Sequence, residues 1–230
     1  MTVSRSLFPI LSETDVSDSD PTLQIENLGF RPSDNIYAKI RTEENAEKIF
    51  RLSVFLTHSG KLLFTVPAGP DMNTNLDELE FCAEIGGAVI EKLGIRSDIG
   101  IISGGRAGDI GRNPVVDQTI LDAEALEKKL NGKGILAKHY TILIEDAVKT
   151  ANFLIIPDSL SGEMILKTVA GVGDGAEIGN ILLLKRADEK KAGGGKIYIE
   201  QLTKKADPND LIILKDALTA AFSRRKGEQK

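Results

Sequence analysis

Cysteine occurs once in 230 residues, at Cys82, so no internal disulfide can form and a reducing compartment is the natural setting. Tryptophan is absent and histidine is confined to His58 and His139, too few for a multi-histidine metal centre or a local zinc motif. No metal site is expected. No run approaches the roughly 18 consecutive apolar residues of a membrane span, and no charged stretch leads into an apolar one near the N-terminus. A cytoplasmic protein is expected. An excess of positive charge is missing as well. The formal net charge is −5, and the one basic run, Arg224-Arg225-Lys226, reads as a solvated helix end. Nucleic acid and anionic membrane are therefore not expected partners.

What is present is an ordinary globular composition, 41% hydrophobic and 27% charged, which supports one large domain or two small ones. Residues 10–23, "ILSETDVSDSDPTL", are acidic, serine-rich and without apolar periodicity, and read as a linker or a mobile start. "RLSVFLT" and "LLFTV" around "HSGK" read as a β-hairpin. Leu79, Cys82, Gly86, Val89 and Leu93 fall on one helical stripe, Asn75 with Glu78 resembles a capping box, and Gly94 stands where a helix-ending glycine belongs. That stripe makes Cys82 a core residue rather than a nucleophile.

Beyond residue 97 short strands and helices alternate. "DIGIIS", "YTILI", "NFLIIP", "ILLLK" and "KIYIEQL" read as strands, while residues 116–130, 161–173 and 208–224 read as helices. Residues 187–195 form a charged, glycine-rich surface loop. The alternation predicts an α/β sheet with helices on both faces, where ligands bind beyond the carboxyl ends of strands.

Three loops and one acidic pair could carry chemistry. In "SGGRAGDIGRN" the candidates are Ser103, Gly104, Gly105, Arg106, Asp109, Arg112 and Asn113. Glycine amides and arginines there could cradle an anion, or the loop could be a tight turn whose arginines pair with Asp109 and Asp117. It lacks the spacing of a dinucleotide fingerprint and the ending of a Walker loop. In "PDSLSG", Asp158 or Ser159 could simply cap a helix; alternatively Asp158, Ser159, Ser161 and Gly162 line the same crevice. In "QLTKKADPND", Asp207 could cap a helix with the lysines solvated, or Thr203, Lys204 and Asp210 could act on a ligand. Glu145 and Asp146 suit a general base or ligand at a strand end, or the acidic start of a helix. His58 and His139 lack a serine or cysteine partner at a recognisable spacing, so no triad is expected.

The ordered motifs carry a resemblance over about four-fifths of the chain. The stretches "IFRLSVFLTHSGKLLFTVPAGPDMNTNLDELEFCAEIGGAVIEKLGI" and "ANFLIIPDSLSGEMILKTVAGVGDGAEIGNIL" resemble the phosphate acetyl/butyryl transferase superfamily. "SGGRAGDIGRNPVVDQTILDAE" is similar to the signature of one short branch, methanogen marker protein 4, the methyltransferase-related Mtx family. The resemblance implies an isocitrate/isopropylmalate-dehydrogenase-like, phosphotransacylase-like α/β sheet with a reduced second lobe. Residues 50–197 would form the main lobe, and residues 1–49 would pack with 198–230 as a small one. It implies binding, and transfer, of an acyl or phosphoryl group from a CoA-like or phosphate-bearing ligand. No cofactor is tightly bound; CoA or an acyl phosphate is the expected substrate and a second copy of the chain the expected partner. The alternative it carries is a non-catalytic accessory protein of a methyl-transfer system. The enzymes' Leu-Ser-Arg-Gly and following aspartate match Leu202-Thr203-Lys204-Lys205 and Asp210, so Thr203, Lys204 and Asp210 inherit the catalytic role. Lysine in place of arginine gives up the planar fork that grips phosphate. Glu163 replaces the asparagine that follows glycine in the enzymes' phosphate loop.

Overall fold

The computed structural model describes residues 7–9, 24–71, 74–187, 196–203 and 206–223. In chain order the elements are β1 (Gln24–Phe30), α1 (Asp34–Glu44), β2 (Ala46–Leu56), β3 (Leu62–Ala68), α2 (Leu76–Lys92) and β4 (Ile99–Ile101). There follow α3 (Pro114–Gly132), β5 (Ala137–His139), α4 (Ile144–Thr150), β6 (Phe153–Ile155), α5 (Ser159–Gly171), β7 (Ala176–Arg186), β8 (Lys196–Gln201) and α6 (Pro208–Ser223). The eight strands form one sheet in the order β1-β8-β7-β2-β3-β6-β4-β5.

Local sequence explains most of these elements. Gly60, at φ 81°, turns the β2–β3 hairpin, closed by the Thr57 amide on Lys61 O at 2.9 Å. At the start of α2 the Asn75 side chain accepts from the Glu78 amide at 3.0 Å, and the Glu78 carboxylate accepts from the Asn75 amide at 3.1 Å. That is the expected capping box. Cys82 is buried in the stripe, and a Cβ at Gly86 would come within 2.7 Å of the Phe153 ring, so the helix needs glycine there to approach β6. Residues 10–23 and most of the 187–195 loop lie outside the described residues.

One expected strand is absent. "YTILI" is a turn leading into α4, and the strand in that region is β5, upstream. Ile144, Ala147, Val148 and Ala151 recur at helical spacing and pack together beneath the sheet, so the period of 3.6 prevails over β-propensity.

The two faces of the sheet differ. One carries α2, α3 and α6, whose Leu79, Cys82, Leu126, Leu130, Leu214 and Leu218 join Phe50, Leu52, Phe64 and Phe153 in the main core. On the other, α4 and α5, the latter through Leu166, cover Phe55, Leu63 and Leu154, and α1 covers Ile49, Leu182 and Tyr198. Between these two smaller cores runs a row of buried polar residues, Thr65, Ser53, Asn180 and Glu200, opposite one another on β3, β2, β7 and β8. β1 pairs in parallel with β8 at the far edge of this sheet.

Candidate functional site

β3, β6, β4 and β5 run parallel, so the loops that follow them leave from one edge. Backbone and side-chain bonds stitch those loops together. The Ile102 amide donates to Ile155 O at 2.9 Å and the Ser103 amide to Thr141 O at 2.8 Å. Thr74 Oγ1 donates to Pro157 O at 3.2 Å and Ser159 Oγ to Asp71 O at 2.7 Å. Ser103 to Asn113, Glu145 and Asp146, and Asp158 to Gly162 thus share one edge, as the alternation predicts. A recess of about 10 Å³ lies beside them, between the ends of β4 and β6 and helices α2 and α3; bordered by Ile101, Thr119, Asp122, Ile155 and Pro157, it has room for about one water.

The glycine loop has taken its own carboxylates as anions. Asp109 accepts the Arg106 amide at 2.8 Å and the Arg112 guanidinium at 2.6 Å. Asp117 accepts the Gly111 amide at 3.1 and 3.0 Å, and Asn113 caps α3 by accepting from the Val115 amide at 2.9 Å. Gly111 has φ 94°, and a Cβ at Gly105 would lie 2.7 Å from Val116, so both glycines are required by the turn itself. The tight-turn reading is built here, with one change: Asp117 holds a backbone amide rather than an arginine. The Arg106 guanidinium is exposed, and the Arg112 side chain is 75% exposed.

Ser103 is buried at the end of β4 and brings in a residue that sequence spacing passed over. Its Oγ lies 2.9 Å from His139 Nε2, across from the end of β5, and 2.9 Å from Gly105 O. Burial lowers the His139 pKa below its usual value against the opposing pull of Glu127 and Glu124, so the ring is neutral near pH 7. The hydroxyl has one hydrogen. Given to Gly105 O, it leaves Oγ to accept from a protonated Nε2, and the pair then holds the loop rather than forming a nucleophile and base. Thirty-six positions separate the two residues, and only the pairing of parallel strands brings them together.

At the start of α5, Asp158 accepts both the amide and the hydroxyl of Ser161 at 2.8 Å, making it the helix cap. The Gly162 amide donates to Asp158 O at 3.1 Å. A Cβ at Gly162 would stand 2.0 Å from Pro67 O, so glycine there lets α5 lie directly on the end of β3. Glu145 and Asp146 sit in the first turn of α4, where Asp146 pairs with Lys149 at 2.6 Å.

The most heavily charged part of this edge centres on Arg51, a residue that motif and spacing did not point to. Arg51 of β2, 6% exposed, sits opposite Ala68 at the end of β3. Its Nε bonds Glu200 of β8, its Nη1 donates to Glu163 of α5 at 2.5 Å, and its Nη2 donates to Tyr37 Oη of α1 at 2.8 Å. Tyr37 Oη in turn donates to the second Glu200 oxygen at 2.7 Å. Burial and the Glu200 carboxylate push the Tyr37 pKa well above its usual range, so the hydroxyl stays a donor. Glu163 also accepts from Lys167 at 2.8 Å. A charged residue inside the apolar run "IFRLSVFL" was the available signal.

Thr203 and Asp210 do not join this edge. β8 is antiparallel to β7 and ends at the opposite edge, where the Leu202 and Thr203 amides donate to Glu177 at 2.8 and 2.6 Å. Desolvation raises the Glu177 pKa despite those bonds. In the sheet order β8 lies five strand steps from β4, about 24 Å at roughly 4.8 Å per step. Asp210 is buried in the first turn of α6, and Lys204 lies outside the described residues. The expectation that Thr203 and Asp210 act at the glycine-loop crevice is corrected, because it required β8 to run parallel to β4.

No protein-family model matches the chain. Among solved structures, a branched-chain phosphotransacylase from Enterococcus faecalis superposes with a TM-score of 0.59 at 12% identity, over 82% of this chain and 70% of that one. The EutD phosphotransacetylase from Staphylococcus aureus gives 0.59 at 12% identity, over 84% and 60%. The sheet and its edge loops thus define a protein with the phosphate acetyl/butyryl transferase-like fold. By sequence, "Putative methyltransferase mtx subunit X" of Methanosarcina barkeri is 38% identical over 160 residues, 68% of this chain and 59% of that protein. The protein of the same name from Methanosarcina mazei is 40% identical over 151 residues, 64% and 54%. The chain belongs to this methyltransferase-related Mtx family, and it spans little more than half the length of those relatives.

Proposed function

We propose that the protein binds a small anionic ligand carrying an acyl or phosphoryl group, of the CoA or acyl phosphate class, at the shared edge of β3, β6, β4 and β5. The observation that carries this reading is the convergence there of the glycine loop, the Asp158–Gly162 turn and the buried Arg51. The exposed Arg106 and Arg112 guanidinium groups can meet phosphate oxygens bidentately as the ligand approaches. Transfer of the group would belong to the same edge, polarised by arginine. In this reading the protein is cytoplasmic and works as a homodimer. Exposed Ile110, Val115, Leu160 and Met164 give the glycine loop and the first turns of α3 and α5 apolar surface to bury.

A second reading, an accessory component of a methyl-transfer system, is favoured by one observation. Thr203 and Asp210, aligned with the transferases' catalytic residues, stand about 24 Å of sheet away from the glycine loop. A thermal-shift panel with CoA, acetyl-CoA, acetyl phosphate, phosphate and a corrinoid separates the two. A ligand at 100 times its Kd adds about 2.7 kcal/mol of stability. Stabilisation by the corrinoid alone would end the acyl-carrier reading, and light scattering tests the dimer.

A further inference from the structure

Arg51 differs from every other cation at this edge in being buried while facing more negative than positive partners. Glu200 and Tyr37, both buried, close a hydrogen-bonded triangle with it. Glu163 is the third partner and is differently placed. Its side chain is 14% exposed, and its second oxygen already rests on Lys167, which is 60% exposed. It is carried by α5, whose start lies on Pro67 and Ala68, the same end of β3 that Arg51 faces. A carboxylate on a guanidinium presents the oxygen geometry that a phosphate or phosphoryl group would present. A further polar atom awaits a partner close by. Thr65 Oγ1 is fully buried with none, on the sheet face of Arg51 and opposite Ser53. Orphaned hydroxyls of that kind are uncommon in folded proteins and call for an account.

We propose that Arg51 is the anion-binding group of this edge and that Glu163 is its built-in substitute ligand, displaced when a small oxyanion enters. Glu163 then turns outward with Lys167, the incoming phosphate or phosphoryl oxygens take the freed Nη1 of Arg51, and Thr65 Oγ1 supplies a hydrogen bond beneath α5. Because the incoming anion replaces the Glu163 carboxylate on Nη1, Arg51 is not left without a counter-charge there, and the cost of binding is the outward turn of one side chain together with desolvation of the anion. Glu163, where the transferases have asparagine, becomes a gate rather than an obstacle. This inference rests on reading the edge as an anion site, and it adds the receptor and the competitor.

The test is isothermal titration of Glu163→Gln and wild type with inorganic phosphate at low ionic strength, with Glu43→Gln on exposed α1 as a control for net charge. Removing the competing carboxylate should tighten phosphate binding roughly tenfold or more, the scale of one charge-assisted hydrogen bond. Glu163→Asp, which keeps the charge but shortens the reach, should give an intermediate gain and guards against a Gln variant that fails to fold. Equal phosphate affinity in wild type and folded Glu163→Gln, or no phosphate binding by either, would overturn the proposal. Binding of CoA or acetyl phosphate with no effect of Glu163→Gln would remove Arg51 while leaving the edge as the ligand site. Tightened phosphate binding without any response to CoA or acetyl phosphate would keep Arg51 and remove the acyl-carrier reading.

Discussion

The glycine loop and the Arg51 cluster stand at the same sheet edge and carry the same chemical groups, arginines facing carboxylates. They differ in solvent. The Arg112–Asp109 pair closes a loop in water, with Arg112 75% exposed. Arg51 holds Glu163 and Glu200 in a side-chain setting only 8% exposed. An exposed pair contributes about 0–1 kcal/mol because water and salt screen it. A buried one is expensive to break, since the partner left behind is a desolvated charge. The lesson is that the segment richest in recognisable motif letters is a self-satisfied turn, while the electrostatic leverage lies in strands that read as apolar.

The largest effect should come from breaking the buried side of this comparison. Glu200→Ala leaves Arg51 and Tyr37 without their enclosed partner and should cost about 3–5 kcal/mol. At 2–4 °C per kcal/mol for a chain of this size, that is a fall of roughly 10 °C in melting temperature. Next comes Gly162→Ala, whose new Cβ would sit 2.0 Å from Pro67 O. Backbone cannot yield as a side-chain tip does, and about 1–3 kcal/mol should be lost in denaturant titration.

The Ser103–His139 contact predicts a smaller, pH-dependent effect. Burial holds the His139 pKa below its usual value of about 6.5. Above that pH both folded and unfolded chains carry a neutral ring. As pH falls through it the unfolded chain takes up the proton first, so stability declines. Melting temperatures from pH 8 to 5.5 should decline less in His139→Gln than in wild type. An unchanged decline would detach His139 from the loop's stability. The smallest effect is Arg112→Ala, which should change stability by less than about 1 kcal/mol. A larger loss would mean that the loop depends on its ion pair and not on the Asp109 and Asp117 bonds to backbone.

The sequence was most informative where structure is local. The α2 capping box, the Gly60 turn and the Asp158 cap are decided within four residues, and each is present. It misled where period and propensity conflict, at Thr141 to Ile144, and where direction matters, at Thr203. A strand's orientation in a sheet leaves no mark on its own residues. Strand–helix alternation put the edge loops on one side but could not say that β8 points away from them.

By itself, the order of apolar runs and turns determined the α/β class and the loops that carry glycine and serine, because hydrophobic period and capping act over a few neighbours; the family came from the likeness of whole motifs to those of relatives. Tertiary structure alone decided which charges share a site. Tyr37, Arg51, Glu163 and Glu200 meet across α1, β2, α5 and β8, up to 163 positions apart. Ser103 meets His139 only because β4 pairs with β5. Such meetings follow from strand order and burial, and burial turns a surface-type ion pair, cheap to lose, into one that is expensive to break.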